Sequence, residues 1–213
     1  MKPCRELLKI IEPAYAPCGN FLGACSSLRW APEEGHVPRG FLGATGTARE
    51  VQLVLVFAEP GNPNETEKHQ SIDTALEYTY QCMAHGTDLF HRNVRHILNL
   101  CFPNDSFDRQ LQKTWMTESL LCSAPKEGDQ VSASAWRTCS MCYLKPQLDL
   151  LSQAFVVALG HKAQARLSSI GIPFFAAFAA SPPGCNFNGA RDSWCKAAVA
   201  FQASVSIYRS IEL

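Results

Sequence analysis

Apolar residues gather along the chain in runs, and polar, turn-forming residues separate them. Residues 51–58 (VQLVLVFA) form a near-continuous β-branched run, the pattern of a central strand buried on both faces. It stops at Glu59-Pro60-Gly61-Asn62-Pro63-Asn64, a turn-rich loop. Residues 114–121 predict a second strand, ending at Ala124-Pro125. Residues 154–159 (AFVVAL) predict a third, closed by Gly160, and residues 173–180 (PFFAAFAA) a fourth, closed by Ser181-Pro182-Pro183-Gly184. Helical patterning covers 71–83, 89–100, 135–152 (with Pro146 early in its second segment), 161–168 and 190–211. Strands alternating with helices imply right-handed crossovers. The expected fold is therefore α/β, a three-layer α/β/α sandwich around a central four-stranded parallel sheet. In such sheets ligands bind beyond the carboxyl ends of the strands. The loops 59–63, 122–125 and 181–186 are expected to converge there. Residues 1–48, with five prolines and only 5–11 helical in pattern, read as an irregular extension packed on a single domain spanning 1–213.

Composition narrows the classes. The chain has 213 residues, 46% hydrophobic and 18% charged, which excludes a disordered chain. Its apolar stretches, such as 174–180, are too short to span a bilayer. The first residues lack the apolar core of a signal peptide, so a cytoplasmic location with no membrane contact is expected. Nineteen basic and nineteen acidic side chains cancel, so no global field draws the protein to nucleic acid. A nucleic-acid role needs a local patch. His91-Arg92-Asn93-Val94-Arg95-His96 is one candidate, and equally a solvated helix face. Ten cysteines in a chain of this size leave buried thiols, a metal site or a cluster.

Four ordered segments resemble the uracil-DNA glycosylase superfamily. Residues 54–61 (VLVFAEPG) are similar to its first motif, an apolar strand ending in forms such as GEAPG, GINPG or GQDPY. Residues 115–125 (WMTESLLCSAP) resemble its TNVVKCRPP strand. Residues 143–151 (YLKPQLDLL), continuing to Val156-Val157-Ala158-Leu159-Gly160 and Ala163, resemble YLxxQLxLLxPxVVVALGxxA. Residues 181–184 (SPPG) stand where the family has HPS or NPSG. The likeness runs from about residue 50 to the C-terminus, and Cys122 points to the iron–sulfur-containing branch.

The resemblance implies a DNA glycosylase that flips a damaged or deaminated base and hydrolyses its N-glycosidic bond, with DNA as partner and the protein a monomer. The alternative is a non-catalytic nucleic-acid or nucleotide-binding member of the same fold. Glu59 takes the place of the residue that positions water and stabilises the oxocarbenium-like sugar. Glu118 falls on the asparagine that reads the base. If ionised it offers only acceptors, which repels uracil O4 and suits a base presenting donors. Ser181 replaces the histidine or asparagine that stabilises the departing base, and Pro182, Pro183 and Gly184 keep that DNA-binding loop in shape. Phe57 and Phe90 are the candidates to stack on a flipped base. No lysine stands at a motif position, so hydrolysis without a Schiff-base step is expected. The resemblance also implies a 4Fe–4S cluster on Cys18, Cys25, Cys122 and Cys139, with Cys142 as a substitute.

Overall fold

The computed structural model of the chain describes residues 2–65, 67–124 and 130–211. Its centre is strand β2 (Leu53–Phe57), every residue of which is buried. The sheet also holds β1 (Leu42–Gly43), β3 (Thr114–Glu118), β4 (Phe155–Leu159) and β5 (Phe175–Ala177), in the order β1-β3-β2-β4-β5. The four expected strands run parallel, with Phe57 opposite Glu118 and Leu53 opposite Phe155. The sheet itself is five-stranded and mixed, which corrects the four-stranded expectation. Two residues of the N-terminal segment add β1 antiparallel to β3, with Leu42 opposite Met116 and Gly43 opposite Trp115. A two-residue strand leaves no periodic signal. It exists because Gly43, at φ 109°, lets the backbones close up: a Cβ there would lie 2.1 Å from Thr114 O.

Alternation along β2 explains its continuous apolar run. Val54 and Val56 enter one core with Trp115 and Ala158, while Leu53, Leu55 and Phe57 enter the other with Met116, Val157 and Leu159. Helix α1 (Arg5–Tyr15) buries Leu7, Ile11 and Ala14 in the first core. The N-terminal segment is thus integral to the fold and more regular than its prolines imply. Helices α2 (Ile72–His85) and α3 (Leu89–Cys101) follow β2, each closed by a side-chain N-cap, Ser71 and Asp88. Helix α4 (Phe107–Lys113), absent from the pattern reading, is too short to show a period and starts at the Ser106 cap.

The expected helix at 135–152 forms as α5 (Ala133–Cys139), a π-helical turn (Ser140–Leu144) and α6 (Lys145–Leu150). Pro146 has no N–H to bond the carbonyl four residues back, so the ladder reorganises ahead of it. Helix α7 (His161–Ser169) follows β4, and α8 (Ala190–Ile211) closes the chain. Among the described residues no helix is long and apolar enough to cross a membrane.

Gln147, the glutamine of the YLKPQLDLL segment, is fully buried. Its Oε1 accepts from Trp115 Nε1 at 2.8 Å, and its Nε2 donates to Tyr143 O at 2.9 Å. It therefore pins the π turn and α6 to β3. Replacing it by alanine leaves the indole N–H of Trp115 unpaired in the core. Gln147→Ala is expected to lower the unfolding free energy by roughly 1–3 kcal/mol, read as a drop in the urea midpoint. An unchanged midpoint would mean that the cross-link adds nothing to the fold.

Candidate functional site

The strand ends of β2 and β3 are joined before their loops diverge. Ser119 N donates to Phe57 O at 2.9 Å, and Leu120 N to Ala58 O at 3.1 Å. Ser119 Oγ donates to Ala58 O at 2.7 Å. Arg166 of α7, buried on the same side as Ala163 and Leu167, reaches this junction. Its Nη1 donates to Ala58 O at 2.6 Å and to Ser119 Oγ at 3.1 Å. Its Nη2 stands 2.6 Å from Glu59 Oε2, and Lys162 Nζ contacts the other carboxylate oxygen. Glu59 thus sits at the mouth of β2 in a double ion pair. Its side chain is 10% exposed, against 5% for Arg166 and 37% for Lys162. Lys162 and Arg166 are four residues apart on one helix, so they share a face. That spacing was readable in the sequence, but their partner was not.

Glu118 is the register partner of Phe57, so both side chains leave the same face of the sheet. It is 4% exposed, and its Oε2 is buried with no hydrogen-bond partner among the described residues. Gly40 passes directly over it: at φ 84°, a Cβ on Gly40 would lie 2.7 Å from Glu118 Cγ and Oε1. Burial first, and the neighbouring Glu59 carboxylate second, push the Glu118 carboxyl well above the usual range. Arg166 and Arg39 pull the other way without reversing it. The neutral acid is therefore favoured, and it carries one donor and one acceptor.

A second buried network, not found from the sequence, holds the loops above the two carboxyl groups. Arg39 lies next to Gly40. It donates through Nη1 to Gly35 O (3.0 Å) and Ser123 Oγ (3.2 Å), and through Nη2 to Gly61 O. Its Nε is 3.2 Å from Glu67 Oε1, which also contacts His69 Nε2 at 2.8 Å. Burial works against the ionised Glu67, but the hydrogen bond from His69, the charge of Arg39 and the Asn64 N–H outweigh it and hold the carboxyl low. Ser123 Oγ also donates to Gly61 O at 3.1 Å. Two of the three loops expected to converge are thus tied together; Pro125 of the second lies outside the described residues. A lone arginine in a glycine- and proline-rich stretch has no period, so no sequence signal marked Arg39 as buried.

The third loop lies apart from this junction, across β4. Ser181, Pro182 and Pro183 are exposed, and Gly184 is half-buried. Ala180 O accepts from Asn93 Nδ2 of α3 at 2.9 Å, and Gly160 and Gly184 both pack on Ala179. Phe57 and Phe90 meet edge to face, with ring centroids 5.1 Å apart. Phe57 is 5% exposed and belongs to the core, whereas Phe90 is half-buried and keeps some free surface.

Cys18, Cys25, Cys122 and Cys139, from three separate segments, line one cavity with Tyr143, Asn20 and apolar side chains. The free space between them is about 10 Å³, the room of one water. Two of the sulfurs accept hydrogen bonds: Cys18 Sγ from Tyr143 OH (3.1 Å) and Asn20 Nδ2 (3.2 Å), and Cys139 Sγ from Leu121 N (3.4 Å). Cys142 is exposed at the edge, 4.0 Å from Asn20 Nδ2. Burial raises the thiols of Cys25, Cys122 and Cys139, and their mutual proximity raises them further. As placed, no group of three or more His, Cys, Asp or Glu among the described residues is able to hold a metal ion.

The chain matches no protein-family model and no curated protein.

A carboxyl raised by folding leaves stability intact below its unfolded value, about 4.3 for glutamate, and withdraws it as pH climbs toward the folded value. Glu118→Gln removes that titration while keeping a donor and an acceptor. As pH rises above about 4.3 the variant should gain on the parent, because the raised Glu118 carboxyl loses its share of stability there and the amide does not. Chemical denaturation at a series of pH values reads this directly. Parallel profiles would show that Glu118 titrates like an exposed glutamate.

Proposed function

We propose that the protein is a DNA glycosylase of the uracil-DNA glycosylase type, built on the three-layer sandwich and acting at the ends of β2 and β3. The observation that carries this reading is the meeting of Glu59 and Glu118, from separate motifs, at neighbouring strand mouths beside Lys162 and Arg166. Glu59, oriented by its two ion pairs, faces positive charge as it develops on the sugar. Glu118 as the neutral acid matches an N–H beside a carbonyl, the edge of uracil and of other deaminated bases. This widens the expected substrates to include uracil itself. Lys162, a partly exposed cation, supplies the positive donor that Ser181 lacks for the departing base. Phe90 offers the aromatic surface next to Glu118's face of the sheet, and 182–184 a rigid exposed loop for the DNA backbone.

The cysteine cavity offers the donor set of the cluster that the resemblance implies, but its free space of about 10 Å³ would have to widen to take it. Its donor set is four thiols, and its hydrogen bonds run to sulfur from an amide, a phenol and a backbone N–H. Zinc gathers four ligands at about 2.3 Å from one point, whereas an iron–sulfur cubane takes its thiolates around a body of several atoms. To admit a cubane, the four thiol side chains would have to turn outward. Bound there, the cluster would supply a structural staple between the 18–25 segment, the β3 loop and α5.

A second reading, a nucleic-acid-binding member without catalysis, is favoured by the neutralisation of Glu59 by two cations. Oligonucleotides carrying single uracil, hypoxanthine or xanthine residues separate the two. The enzyme generates abasic sites, and Glu59→Gln should lose roughly 10²–10³-fold in rate with DNA affinity retained. Binding with no base release would leave the second reading standing. Anaerobically purified protein should be brown and contain about four irons per chain, with Cys139→Ser losing most of them. Colourless, iron-free protein would remove the cluster.

A further inference from the structure

Lys162 Nζ is in direct contact with the Glu59 carboxylate, at the mouth of the central strands, and its side chain is 37% exposed while Glu59 is 10% exposed. A primary amine touching a carboxylate, one reachable from solvent and the other nearly enclosed, is the pair that imine chemistry on an aldehyde needs: a nucleophile and a proton acceptor. The product of base excision is such an aldehyde, because an abasic deoxyribose opens to a free carbonyl at C1′. Resting on the proposed glycosylase site, we propose that Lys162 forms a Schiff base with the abasic sugar and that the protein is a DNA lyase as well as a glycosylase. This departs from the expectation of hydrolysis without an imine, which rested on motif positions alone. Lys162 fills an unspecified position between Gly160 and Ala163 of the third segment, at the start of α7, and only the fold brings it to Glu59.

The step balances within the two side chains, the sugar and water. Glu59 takes a proton from the Lys162 ammonium, and the free amine adds to C1′. Glu59 returns that proton as the hydroxyl of the carbinolamine leaves as water, giving the iminium. Glu59 then removes a proton from C2′. The electron pair forms the C2′–C3′ double bond and expels the 3′ phosphate, which keeps the C3′–O electrons. Water adds to the remaining iminium and releases an unsaturated aldehyde and the Lys162 ammonium, and the proton on Glu59 passes to the phosphate or to solvent. No oxidant, reductant or metal takes part. Arg166 is a positioning residue here: its bonds to Ala58 O and Ser119 Oγ keep the Glu59 carboxylate turned toward Lys162.

The test is borohydride trapping of the full-length protein on an oligonucleotide that carries one preformed abasic site. Supplying the abasic site directly makes the result independent of base excision. The expected result is a covalent protein–DNA adduct on a denaturing gel and, without borohydride, strand scission at the abasic site. Lys162→Arg, which keeps the positive charge beside Glu59 but cannot form the imine, should reduce the adduct at least tenfold with its unfolding midpoint close to that of the parent. Lys162→Ala should do the same. No adduct with the parent protein, or equal trapping by both variants, overturns the proposal. Excision of a deaminated base without trapping sinks the lyase alone. Trapping without excision keeps the lyase and sinks the glycosylase.

Discussion

Strand β2 is buried on both faces, so chemistry reaches it only at its ends. Every side chain from Leu53 to Phe57 is committed to one core or the other. Beyond Phe57 the sheet order places β3 on one side of it and β4 on the other. The first polar residue, Glu59, therefore emerges where three strands and the start of α7 meet. Burying so much backbone carries a demand: the carbonyl groups past the last ladder bond need donors in an environment with little water. Ala58 O accepts from Leu120 N, Ser119 Oγ and Arg166 Nη1, and Gly61 O from Ser123 Oγ and Arg39 Nη2.

The electrostatics of the strand ends follow from this. Two guanidinium groups and one ammonium group lie near two carboxyl groups, and burial decides how the charge is shared. Glu59 is matched by Lys162 and Arg166. Glu118 sits deeper, under Gly40, with one oxygen unpartnered, and burial keeps it toward its neutral form. The two carboxyl groups at neighbouring strand mouths thus stand in different surroundings, one between two cations and one buried under Gly40. The N-terminal segment takes part directly. Gly40 covers Glu118, and Arg39 ties the two loops, so the stretch that carries no helical or strand pattern shapes the site most closely.

The cysteine cavity lies in the first core, reached from the 18–25 segment, the β3 loop and the end of α5. The π turn after Cys139 gives it form. It arises from the proline at 146 and sets Tyr143 so that its hydroxyl meets Cys18. Gln147, one turn further on, links the same turn to Trp115. The cavity, the π turn and β3 are therefore mechanically one unit, joined to the carboxyl pair through Ser140 Oγ, which donates to Ser119 O at 3.1 Å.

The apolar runs, alternating with helical segments, were enough to expect four parallel strands, although only β2 and β3 are buried along their whole length. They likewise marked the helices between the strands, apart from α4, and placed Glu59 and Glu118 at strand mouths. The resemblance, not the cysteine count, nominated Cys18, Cys25, Cys122 and Cys139 as neighbours, and the fold brings them to one cavity. Only the tertiary structure decided the rest. A two-residue strand made possible by Gly43 has no period to read. The burial of Arg39, Glu67 and His69 depends on contacts between segments far apart in the chain. Whether Glu118 is an anion or an acid depends on what covers it, and that cover is Gly40, some eighty residues earlier in the sequence. Lys162 and Arg166 were visible as a pair on one helix face, but pairing is a matter of charge meeting charge across space, and the sequence does not say which carboxylate a helix will be folded against.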